Sequence, residues 1–126
     1  MTLPIHFVLG LLYSQNRGGL TLDDICHCIY KLEKKKVRTG YLPWIGNNAI
    51  EWVSIFSTVR DEIMNLMYFY FDGPMVRQVP PEDVDDMIFS LRDQRYDLTY
   101  QGTRLFEEEM RHIAHHEIEA LKEVVV

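Results

Sequence analysis

Tyr96-Asp97-Leu98-Thr99-Tyr100-Gln101-Gly102-Thr103-Arg104-Leu105 is the stretch that orders the rest of this chain. Arg95 to Leu98 reads as a short strand. From Thr99 a single helix is predicted nearly to the C-terminus, with Phe106, Met110, Ile113, Leu121 and Val125 near one face. Upstream, Met75 to Val79 reads as a companion strand that Pro80-Pro81 ends. Residues 81–94 between the two strands read either as one short helix or as an ordered loop.

Further upstream the periodicity is helical. Ala49, Trp52, Phe56, Val59, Ile63, Leu66 and Tyr70 alternate steps of three and four, and Asp72-Gly73-Pro74 stops that helix. Thr21 followed by Asp24 has the form of a capping box and opens a helix with Leu22, Ile25, Cys26, Ile29 and Leu32 on one stripe. That helix runs out in Lys34, Lys35, Lys36 and Arg38, where cations complement the helix dipole. Pro4 suits the first turn of another helix, with Ile5, Val8, Leu9, Leu12 and Tyr13 as its buried stripe and Gly18-Gly19 behind it.

The order is therefore helix, helix, helix, strand, excursion, strand, helix: an α+β class, mostly α. Two stretches sharpen it. Tyr96 to Leu105 resembles the "Y-x-L-T-x-x-G-x-x-L" end of the wing in many prokaryotic winged-helix proteins. Ile55-Phe56-Ser57-Thr58-Val59-Arg60-Asp61-Glu62-Ile63, followed by Gly73 and Val76, is similar to their third helix and first wing strand. The resemblance implies a winged helix of three helices and a two-stranded wing, to which a long C-terminal helix is added. It implies that Tyr96 and Leu98 pack inward, that Thr99 caps the next helix and that Gly102 permits close packing. Most members of that family are transcriptional regulators, and a minority are antitoxin-like or protein-docking domains.

With 126 residues, 47% of them hydrophobic, the chain suits one domain spanning 1–126 with its own core. No apolar run approaches a membrane span and no signal segment is evident, so a cytoplasmic protein without a membrane partner is expected. The formal charge of −6 argues against a broad nucleic-acid-coating surface but leaves room for a local patch. Residues 1–63 carry seven basic and six acidic side chains, residues 64–126 six and thirteen.

As a DNA-binding protein the chain would use Lys34, Lys35, Lys36, Arg38, Arg77 and Arg95 on phosphates. Ser57, Thr58, Arg60 and Asn65 of the third helix would enter the groove. Asp61 and Glu62 weaken that reading face, which keeps a protein-docking module without DNA as the alternative. Glu109, His112 and His116 share a face on a continuous helix and are weak metal candidates; a solvated face is the plainer reading. Cys26-His27-Cys28 cannot converge on one ion from a helix, and buried, inert thiols are the default there. No enzyme motif and no cofactor signature is present. If residues 102–126 form one helix, its far end projects beyond the domain with Ile113, Ile118, Leu121 and Val124 in water. A homodimer built by that helix is then expected.

Overall fold

The computed structural model describes residues 4–41, 49–68, 73–80 and 94–125, with the backbone alone over 49–55. In chain order these hold α1 (Pro4–Ser14), β1 (Leu20–Thr21), α2 (Leu22–Lys34), α3 (Ala49–Tyr68), β2 (Val76–Gln78), β3 (Arg95–Leu98), α4 (Tyr100–Glu109), a 3-10 turn (Met110–His112) and α5 (His115–Val124). The described chain is thus α+β and mostly helical, with a small antiparallel sheet in the order β1-β3-β2.

Helix α1 is the centre of the core. His6 to Leu12 are all buried, more than the single stripe the sequence pattern predicts, because β3, α2, α4 and α5 all pack against it. Helix α2 keeps the expected stripe, with Leu22, Ile25, Cys26, Ile29 and Leu32 buried. Its start is the predicted capping box: Thr21 Oγ1 accepts from the Asp24 N–H, and Asp24 Oδ2 accepts from the Thr21 N–H. On α3, Val59, Ile63 and Leu66 face inward.

The sheet has a third strand that the sequence pattern does not predict. β1 is two residues long, too short for a periodic signal, and it exists because Leu20 pairs with Tyr96 and Thr21 with Arg95. Strand β2 pairs on the other side, Val76 with Leu98 and Gln78 with Tyr96. Tyr96 and Leu98 are buried, as expected. Thr99 then caps α4: its hydroxyl accepts from the Gly102 N–H at 3.1 Å and donates to the Pro74 carbonyl at 2.6 Å. A Cβ on Gly102 would overlap the Met75 carbonyl, so only glycine lets α4 sit this close to the residue preceding β2.

The C-terminal segment departs from the single predicted helix. The chain leaves α4 through the 3-10 turn, and Ile113 and Ala114 are extended, with ψ of 134° and 142°. Helix α5 turns back onto α1 and α2 and buries Ala120, Leu121 and Val124. Burial decides this break. A straight helix would carry those side chains off the domain, at about 1.5–3 kcal/mol for each large one left exposed. Gly10 gives the return its room, since a Cβ there would lie 2.7 Å from Leu121 Cδ1 and 3.2 Å from the Phe106 ring and those side chains would have to shift. The stripe that motivates a dimer through this helix is therefore covered within one chain. Residues 42–48, 69–72 and 81–93, the last being all of the excursion but Gln94, lie outside the described residues.

Candidate functional site

The predicted contacts fall in three places: the end of α2, the outer face of α3, and the sheet. At the end of α2 the chain closes in a Schellman turn. The Val37 N–H donates to the Leu32 carbonyl and the Lys36 N–H to the Glu33 carbonyl. The position that glycine favours in this turn is held by Lys36, with φ of 65°. Buried Glu33 secures the chain just beyond the turn, its Oε1 accepting from the Thr39 N–H at 2.9 Å and the Thr39 hydroxyl at 2.8 Å. Tyr41, also buried, donates its hydroxyl to the Pro4 carbonyl.

This turn displays four of the predicted cations in unequal states. Lys34 Nζ sits 4.9 Å from the Tyr30 ring centre, and Lys35 Nζ lies 2.8 Å from Glu123 Oε2 on α5. Lys36 and Arg38 are exposed and have no ion-pair partner among the described residues.

On α3, Thr58, Arg60 and Asn65 are exposed and Ser57 is half-buried. Arg60 Nη2 lies 3.6 Å from Asp61 Oδ1, a solvent-screened contact of little energetic weight. The same outer surface carries Met64 and Tyr68, the latter 61% exposed, which the predicted groove contacts do not include.

At the sheet, Arg77 and Arg95 are exposed, and here the structure assembles more than the sequence suggests. Arg77 Nη2 is 3.8 Å from Asp97 Oδ2, its partner in register, and Arg95 Nη1 donates to the Arg17 carbonyl at 3.1 Å. Gln15 shapes that loop: its Oε1 accepts from the Arg17 and Gly19 N–H groups, while its Nε2 donates to Asp97 Oδ1. Exposed Arg17 thereby joins the sheet arginines. Neither Gln15 nor Arg17 is found from sequence, because only the pairing of β1 with β3 brings their loop to Arg95.

The metal candidates are not brought together. The shared face of Glu109, His112 and His116 needs a continuous helix, and the chain breaks between them. Glu109 Oε2 instead lies 3.7 Å from His6 Nε2, and His112 Nε2 is 3.3 Å from Arg111 Nε. No group of three His, Cys, Asp or Glu able to hold a metal ion occurs among the described residues. The thiols of Cys26 and Cys28 are both buried; burial, with Asp23 and Cys28 adding, pushes Cys26 up to about 12. Cys28 Sγ donates to the Val124 carbonyl, so it fastens α5 and is not offered to solvent.

Chemically, the end of α2 and the sheet each present guanidinium or ammonium groups suited to phosphate oxygens. The α3 surface presents one cation, hydroxyl and amide groups, and apolar area. Among the described residues no helix is long and apolar enough to cross a membrane. Comparison with known proteins finds no matching family model, no matching curated protein and no matching solved structure.

Proposed function

We propose that this chain is a winged-helix protein that binds double-stranded DNA, acting without catalysis as a homodimeric transcriptional regulator in the cytoplasm. One observation carries the reading. Helices α1 to α3 are followed by an antiparallel hairpin whose inner strand, β3, also pairs with β1 between α1 and α2. That order and strand arrangement support a winged helix, with α3 as the groove helix and the hairpin as the wing. Lys36, Arg38, Arg77, Arg95 and the added Arg17 are the phosphate contacts; Ser57, Thr58, Arg60 and Asn65 are the groove contacts. With the α5 stripe covered, the dimer is assigned to apolar surface away from the groove face of α3, where Tyr100 on α4 is exposed.

Fluorescence anisotropy against random duplex at about 50 mM salt tests it, since even non-specific binders respond there. Binding at tens of micromolar protein is expected. Arg77→Gln and Arg38→Gln should each lower the salt slope by about 0.9 for each phosphate contact removed. No binding under these conditions would overturn the reading. A second reading, a docking module that takes a protein in place of DNA, is favoured by Met64 and Tyr68 on the outer face of α3. A protein captured through that face and retained after nuclease treatment would support it, provided Tyr68→Glu abolishes capture.

A further inference from the structure

Between α1, the end of α4 and α5 lies a cavity of about 180 Å³, open on one side. Its apolar lining includes buried Phe106 and Leu121 and partly buried Met110 and Ile118. Tyr13 stands beside Phe106, the ring centres 5.0 Å apart and the planes tilted by 45°. This space results from the break after Glu109, because the 3-10 turn carries Met110 to one side while α5 returns along α1. Polar groups are few. Ser14 and Lys122 line the cavity too, and Lys122 is its one charged residue among those described. The Ser14 and Tyr13 hydroxyls have no hydrogen-bond partner among the described residues. The Lys122 ammonium has only a long contact, 3.7 Å, to exposed Glu119.

An apolar hollow with a few polar groups on its lining is the form small-molecule sites take. Size narrows the ligand, since an apolar cavity of about 150 Å³ accommodates benzene. Charge narrows it again: a single ammonium beside hydroxyl groups favours an anion over a cation. We propose that this cavity binds a small aromatic carboxylate, its ring against Tyr13, Phe106 and Leu121 and its carboxylate toward Lys122 and Ser14. The proposal is independent of DNA binding, and no residue of the phosphate or groove sets takes part.

The test uses the full chain labelled with ¹⁵N and titrated with sodium phenylacetate, and in parallel with toluene and with benzylammonium chloride. Saturable amide shifts centred on residues 13–14, 106–110 and 118–122 are expected for phenylacetate, with an affinity in the millimolar range for so small a ligand. Benzylammonium should bind at least about fivefold more weakly, as Lys122 would repel it. Lys122→Gln, a surface change, should weaken phenylacetate by about fivefold and leave toluene unchanged. Met110→Trp, which fills the hollow, should abolish both; should that variant not fold, Lys122→Gln alone decides. Shifts that do not saturate, that centre elsewhere, or that ignore Lys122→Gln would overturn the proposal.

Discussion

At the β3–α4 junction a neutral hydroxyl and a glycine do the fastening: Thr99 closes the helix start while Gly102 lets it lie against the Met75 carbonyl. At the end of α2 the same task falls to a buried carboxylate, Glu33, and to a lysine in the left-handed conformation. The first region uses the residue types its geometry favours. The second does not. A glycine at position 36 would be less strained, so what lysine adds there is its charge, held out beside exposed Arg38. Local geometry accounts for Thr99 and Gly102, while the cation at position 36 also complements the dipole at the end of α2.

The largest expected effect breaks the first region. Gly102→Ala places a methyl group on the Met75 carbonyl, a backbone atom that cannot rotate away, so either α4 or the residue before β2 must shift. A loss of about 3 kcal/mol is expected, the upper end for overpacking. Urea unfolding checks it, and a loss below about 1 kcal/mol would mean that the close approach is not rigid. Lys36→Gly reverses the sign in the second region. Relieving a non-glycine residue at φ of 65° should stabilise the fold by about 1 kcal/mol. If Lys36 contacts phosphate, the same variant should also lose DNA affinity and lower the salt slope by about 0.9. A variant that gains stability and keeps its affinity would remove Lys36 from the site.

The two regions also differ in how far sequence reveals them. Thr21 and Asp24 act within three residues of one another, and such short-range chemistry is visible in a linear text. The roles of Thr99 and Gly102 are implied by the resemblance of the stretch around them, since Gly102 meets Met75 far along the chain. Met110 to Ala114 contains no proline or glycine and is compatible with helix; only the burial of Leu121 and Val124 against α1 and α2 breaks it. The burial of α1 on every side, and the two residues of β1, likewise depend on partners far along the chain. Site residues divide in the same way. That Lys36, Arg38, Arg77 and Arg95 reach solvent is legible from charge and pattern. That Lys35 is held by Glu123, and that Gln15 sets Arg17 beside Arg95, depends on contacts spanning about 80 residues or more, which no spacing rule captures.

The smallest expected effect sharpens the contrast around the second region, where Glu33 of α2 and Glu62 of α3 are two carboxylates in opposite circumstances. Glu33 is buried but accepts two hydrogen bonds from Thr39. Glu62, on α3, is half-buried and has no hydrogen-bond donor among the described residues, and that burial holds its carboxyl above the usual range. Its charge bears on the same connection: after burial itself, Glu62 is the next cause that pushes the Tyr41 phenol upward. A carboxyl whose pKa is raised by folding binds its proton more readily in the folded chain than in the unfolded one. Stability therefore rises as pH falls from the raised value toward the ordinary one near pH 4, and the penalty is fully present only above the raised value. Glu62→Gln removes the charge with little change in shape, so it should raise the melting temperature slightly at pH 7. That gain should shrink as pH falls and vanish below about pH 4, where both chains are neutral at this position. Thermal unfolding of the two chains between pH 4 and pH 8 measures it. A gain that is constant across the range would assign the effect to packing, and Glu62 would then belong with the well-satisfied Glu33 rather than opposite it.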